Sequence, residues 1–110
     1  MDRYQDAGLN FNIISDKFPN REEYEEIVNV YLADEFFMDL KDYLEQEDYA
    51  MAKDAVKGLY ILAQDLCLYP LYIALYDIYD DLDNEDYAPC ITHYEEMIKV
   101  YEKIRGVFYV

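Results

Sequence analysis

Between Asn20 and Glu45 the chain places apolar residues at Tyr24, Ile27, Val28, Tyr31, Leu32, Phe36 or Phe37, Leu40, Tyr43 and Leu44, with no glycine or proline among them. A strand would scatter these side chains over two faces, whereas a helix gathers them on one. Asn20 followed by Glu23 has capping-box chemistry, with asparagine in the Ser/Thr position. Glu22 and Glu23 suit the positive end of a helix dipole. The pattern predicts one helix to about Glu45. Only three glycines and three prolines interrupt 110 residues, which favours long helices throughout.

The remaining segments follow the same period. Residues 1–10 read as a short irregular or helical lead-in ending at Gly8, and Phe11, Ile14 and Phe18 mark a short helix stopped by Pro19. Gln46-Glu47-Asp48 reads as a tight connection in which Asp48 caps the next helix, carrying Ala52, Val56, Leu59, Leu62, Ala63 and Leu66. Pro70 restarts a helix with Leu71, Ala74, Leu75, Ile78 and Leu82 on one face. A last helix opens near Pro89, carries Ile91, Tyr94, Met97, Ile98, Tyr101 and Ile104, and ends with Gly106 as its cap. The apolar tail 107–110 is expected to pack back. The predicted fold is all-α: an up-down four-helix bundle with a short extra N-terminal helix, forming one domain over residues 1–110.

Twenty-five acidic against nine basic residues leave a net charge of −16. Phosphate backbones and anionic membranes are bound by lysine and arginine, so neither nucleic acid nor membrane is an expected partner. No apolar run reaches the roughly 20 residues of a bilayer span, and Met1 to Asp6 lack a signal pattern. A soluble cytoplasmic protein is expected. Cys67 and Cys90 read as buried free thiols, and His93 is the single histidine. Asp81, Asp83 and Glu85 imitate the start of a calcium loop, but Asp86 stands where glycine is needed and Thr92 where the bidentate glutamate belongs. No nucleophile–base pair, metal cluster or phosphate-cradling loop is found, so no enzymatic activity, cofactor or metal is expected.

Two surfaces stand out. On the helix after Asp48, the residues Asp54, Lys57, Gly58 and Ile61 fall together on a side away from the apolar face. A mid-helix glycine costs about 0.5–1 kcal/mol relative to alanine, and close approach of another surface is the usual reason for one. A carboxylate and an ammonium next to it suggest a docking face with a charged centre. The other surface is the stripe Tyr69, Tyr72, Tyr76 and Tyr79, either flanking the core with wet hydroxyls or meeting a partner.

The layout resembles the histidine phosphotransfer (HPt) domains of two-component phosphorelays. Gly8-Leu9-Asn10, the helical stretch 20–45, Glu47-Asp48-Tyr49, then Asp54-Ala55-Val56-Lys57-Gly58, and finally Asn84-Glu85-Asp86 follow the family's order and approximate spacing. The resemblance covers nearly the whole chain. It also exposes departures: Asp54 stands where the family carries its phosphorylated histidine, Gln64 where it often has glycine, and Ile61 where it is usually small.

The resemblance therefore implies a pseudo-HPt domain that binds a response-regulator receiver domain or a histidine kinase without carrying phosphate. Asp54 would present a fixed negative charge, Lys57 would pair with it or with an acidic partner, and Gly58 would let the partner's backbone approach. Ile61 would belong to the same partner-binding face, with a bulkier side chain than the family's small residue. A monomer is favoured. The alternative is a helical adaptor, unrelated to phosphorelays, that uses Tyr69, Tyr72, Tyr76 and Tyr79. A third reading, ranked last, makes His93 a phosphoacceptor.

Overall fold

The computed structural model describes residues 2–108. Among the described residues the chain is all-helical, with seven helices and no strand: α1 (Asp2–Asp6), α2 (Phe11–Lys17), α3 (Arg21–Leu32), α4 (Phe36–Glu45), α5 (Tyr49–Asp65), α6 (Tyr69–Asp83) and α7 (Cys90–Phe108). The expected caps form. The Asn20 side-chain oxygen accepts from Glu23 N at 3.1 Å and that of Asp48 from Met51 N at 3.3 Å, each satisfying a donor the helix leaves open. Pro70 lies in the first turn of α6. The lead-in holds one short helix, α1, and the short helix expected before Pro19 forms as α2.

The helix predicted from 20 to 45 is broken at Ala33–Glu35. Asp34 Oδ1 accepts from Phe36 N at 2.9 Å, an Asx turn that competes with helical continuation. The Tyr101 hydroxyl donates to the Leu32 carbonyl at the end of α3, and Phe37 fills the bend. Its ring centroid lies 5.4 Å from that of Tyr31 and 4.5 Å from that of Tyr101. Phe37 is thereby the buried member of the Phe36–Phe37 pair, and Phe36 is exposed. The cap expected at Gly106 is also corrected, because α7 runs on to Phe108. Val107 and Phe108 are buried, with the Phe108 ring 5.4 Å from Tyr4 and 6.0 Å from Tyr24, so the tail packs back as helix. Tyr109 and Val110 lie outside the described residues.

The C-terminal ends of α1, α4, α5 and α6 share one device. Leu9 N reaches Tyr4 O, Asp48 N reaches Tyr43 O, Leu68 N reaches Ala63 O and Asp86 N reaches Asp81 O, each five residues back. These are Schellman closures, and the residue before each donor has positive φ: Gly8 at 77°, Glu47 at 58°, Cys67 at 60° and Glu85 at 55°. Glycine occupies one of the four. At Gly8 a side chain would also press Pro70, whose Cγ lies 3.1 Å from a built Cβ.

Packing follows chain order. α4 packs on α5, α5 on α6 and α6 on α7, while α7 also meets α4, α3 and α1. One continuous core results, with Leu32, Leu40, Val56, Leu59, Leu75, Ile78, Met97 and Ile104 essentially inaccessible. Ile27, Leu62 and Ile91, which belong to the predicted apolar faces, are instead more than 40% exposed (43%, 45% and 46%). They lie at the edges of their stripes, where the neighbouring helix no longer covers them.

Two glycine exchanges in opposite directions test this backbone. Gly58 has open space where a Cβ would stand, so Gly58→Ala is expected to raise the unfolding free energy by about 0.5–1 kcal/mol. Glu47→Gly is expected to relieve part of a left-handed strain of roughly 1–2 kcal/mol. Urea unfolding followed by circular dichroism reads both, and a loss of stability in either would contradict the assignment.

Candidate functional site

α5 is held from one flank by tyrosines of α3. The Tyr24 hydroxyl donates to Leu66 O at 2.7 Å and the Tyr31 hydroxyl to Leu59 O at 2.6 Å. Seven residues separate the donors and seven the acceptors, so α3 runs antiparallel along α5. Lys17 Nζ adds a bond of 2.6 Å to Asp65 O at the same helix end. Buried Ala52, Val56, Leu59 and Ala63 turn α5 inward. The opposite face is left to solvent, and it carries Asp54, Lys57, Gly58 and Ile61.

All four are exposed, with Ile61 at 42%. Asp54 and Lys57 make no ion pair or hydrogen bond with the described residues. The pairing of Lys57 with Asp54 within the chain is therefore absent, and both charges are available. Among the described residues nothing lies within 4 Å of the Gly58 Cβ position, so no described element requires glycine there. Met51 and Leu62 extend the same side of the helix as exposed apolar residues. Among the described residues no three His, Cys, Asp or Glu side chains group as a metal site. A depression lined by Gln5 and Gly8 to Asn12 belongs to the N-terminal lead-in and not to this face. Such an arrangement can dock a surface. It offers Asp54 no cationic pocket in which to act as a nucleophile.

The tyrosine stripe divides. Tyr69 leaves it, donating to Cys67 Sγ at 3.7 Å. Tyr60 of α5, which the sequence pattern did not single out, joins it: its ring centroid is 5.9 Å from Tyr72, 5.4 Å from Tyr76 and 5.2 Å from Tyr79. Tyr60, Tyr72 and Tyr79 are half-buried against the core, while Tyr76 is 41% exposed. The missed signal was positional: Tyr60 follows Lys53 and Lys57 by seven and three residues, on the flank that meets α6.

His93 is not a free surface histidine. Its Nδ1 lies 2.5 Å from Oδ2 of Asp81, a buried carboxylate on α6, so the pair bridges α6 and α7. The hydrogen bond to Asp81 and the charges of Asp81, Asp77 and Glu96 outweigh partial burial and raise the His93 pKa above its ordinary 6.5. Both cysteines are buried free thiols, and burial followed by the charges of Asp81 and Asp86 pushes the Cys90 thiol up to about 11.

A raised histidine value means that the native state holds the proton more tightly than the unfolded chain. The His93–Asp81 contribution is fully present below pH 6.5 and fades as pH rises through the higher native value. Urea midpoints followed upward from pH 6.5 should fall in the wild type, and His93→Gln should remove that slope. An unchanged slope in the variant would assign it to other groups.

No helix among the described residues is long and apolar enough to cross a membrane. No family model matches the chain, and neither does any curated protein or any solved structure.

Proposed function

We propose that the chain is a pseudo-HPt domain, an HPt-like up-down four-helix bundle that binds a receiver domain or a histidine kinase without relaying phosphate. In this reading α3 and α4 together form the first long member of the bundle, and α5, α6 and α7 form the other three. The observation that carries it is the outward face of α5. Asp54, Lys57, Gly58 and Ile61 are exposed together there, with both charges uncommitted and open space above the glycine. A glycine that no contact among the described residues requires is accounted for by a partner whose backbone comes close to it.

Each residue then has a role in docking. Lys57 supplies a mobile ammonium for a partner carboxylate, and Gly58 admits the partner's main chain. Ile61 and the neighbouring Leu62 contribute apolar area. Asp54 presents a permanent single negative charge, less than a phosphoryl group carries. Facing the acidic pocket of a receiver, it would be repelled unless a divalent cation lay between the two. Binding should therefore require Mg²⁺.

Calorimetric titration against a panel of receiver domains, with Mg²⁺ and with beryllofluoride as phosphoryl mimic, tests the proposal. The expected result is Mg²⁺-dependent binding that weakens about tenfold, or ~1.4 kcal/mol, in Lys57→Ala and Gly58→Gln. Binding that persists unchanged in both variants, or no binding to any receiver or kinase, would remove the phosphorelay reading.

A further inference from the structure

Lys53 displays how this protein seats a cation. Its ammonium lies 5.7 Å from the Tyr79 ring centroid and 2.8 Å from Asp83 Oδ1. An aromatic ring and a carboxylate one turn further along α6 share the charge, combining a cation–π contact with an ion pair. Three residues earlier on the same helix, Tyr76 and Asp80 repeat the i, i+4 pair. Here both side chains are exposed. No lysine or arginine among the described residues lies over the Tyr76 ring.

The second seat is preformed. The Tyr60 ring meets Tyr76 edge-on at 5.4 Å, and Tyr72 and Tyr79 flank it at 6.1 and 6.0 Å. Ordering the ring on binding therefore costs little rotamer entropy. Asn84 Nδ2 donates to Asp80 Oδ1 at 3.1 Å, which holds the carboxylate and leaves its second oxygen open. Partial desolvation among the neighbouring rings, and then the charge of Asp80 one turn along α6, raise the Tyr76 hydroxyl's pKa. Ile73, 58% exposed one turn before Tyr76, offers apolar surface to an aliphatic stem.

We propose that Tyr76 and Asp80 form a docking seat for an arginine side chain presented by a partner protein, occupied as Tyr79 and Asp83 are by Lys53. Arginine fits better than lysine because its planar guanidinium stacks on a ring while its fork bonds a carboxylate. The charge of −16 draws a basic segment toward the surface at long range, and the ring decides where it settles. This seat is distinct from Asp54, Lys57, Gly58 and Ile61 and does not depend on a phosphorelay role.

A short arginine-only peptide and its citrulline counterpart, titrated into the ¹⁵N-labelled protein and followed by NMR, test the seat. Shifts with the arginine peptide should centre on Ile73, Tyr76 and Asp80, and citrulline should give none. Tyr76→Leu, which keeps apolar bulk without the ring face, and Asp80→Asn should each weaken binding about two- to fivefold. Glu22→Gln, which removes a remote exposed charge, should leave it unchanged. Lys57→Ala should retain the peptide, so a failure of receiver docking is read separately. Shifts spread evenly over the acidic surface, or equal weakening by Glu22→Gln and Tyr76→Leu, would overturn the proposal.

Discussion

Buried tyrosine hydroxyls hold this helical protein together by donating to backbone carbonyls of other helices. Tyr24 and Tyr31 of α3 reach Leu66 and Leu59 of α5, and Tyr101 and Tyr94 of α7 reach Leu32 and Phe37 on either side of the α3–α4 break. A buried hydroxyl must find a partner, and the carbonyls near helix ends lack one of their own. Leu32 and Leu66 sit at such ends. Each bond contributes a net of about 1 kcal/mol, but its direction matters more than its size. It sets the height at which one helix meets the next. In an otherwise apolar core, where leucines can slide, these bonds give the helices their register.

That register decides what α5 shows to solvent. With α3 fastened to it by tyrosine hydroxyls and α4 and α6 packed against it, α5 keeps one outward face, and Asp54, Lys57, Gly58 and Ile61 lie on it. The α6 flank is aromatic, with Tyr60 interleaved among Tyr72, Tyr76 and Tyr79. Lys53 and Lys57, one turn apart on α5, fare differently. The first is committed to Tyr79 and Asp83, and the second is uncommitted. The contrast separates a lysine that serves the fold from one that the described residues leave exposed and unpaired.

Much of the helical layout was legible because it rests on local rules. The caps at Asn20 and Asp48 and the restart at Pro70 involve residues within a few positions of one another, and each forms as its side chain requires. The α3–α4 break was illegible for the opposite reason. Asp34 can cap a helix or ride within one, and the choice is made by Tyr101, sixty-nine residues from Leu32, and by the space that Phe37 fills. The helix ends at Glu47, Cys67 and Glu85 were equally hidden. They adopt the left-handed conformation that glycine normally signals, and tertiary packing, not residue type, imposes it. Gly106 errs the other way: a glycine that looks like a stop is carried through because Phe108 beyond it is buried against Tyr4 and Tyr24.

The site divides along the same line. Helical period alone sufficed to put Asp54, Lys57, Gly58 and Ile61 on one side of α5, because that period is a property of the backbone. It could not say that Asp54 and Lys57 would both stay unpaired, that Tyr60 would enter the tyrosine cluster as Tyr69 left it, or that His93 would be tied to Asp81. Those outcomes depend on which helix lies beside which, and at what height. The sequence by itself determined the helical class, the caps at Asn20 and Asp48, the charge and most of the membership of each face, all set by neighbours along the chain. Only the tertiary structure decided which charges are satisfied, which rings are stacked and which surface is left open, because the hydroxyl–carbonyl bonds and ring contacts that settle these join residues far apart in the chain.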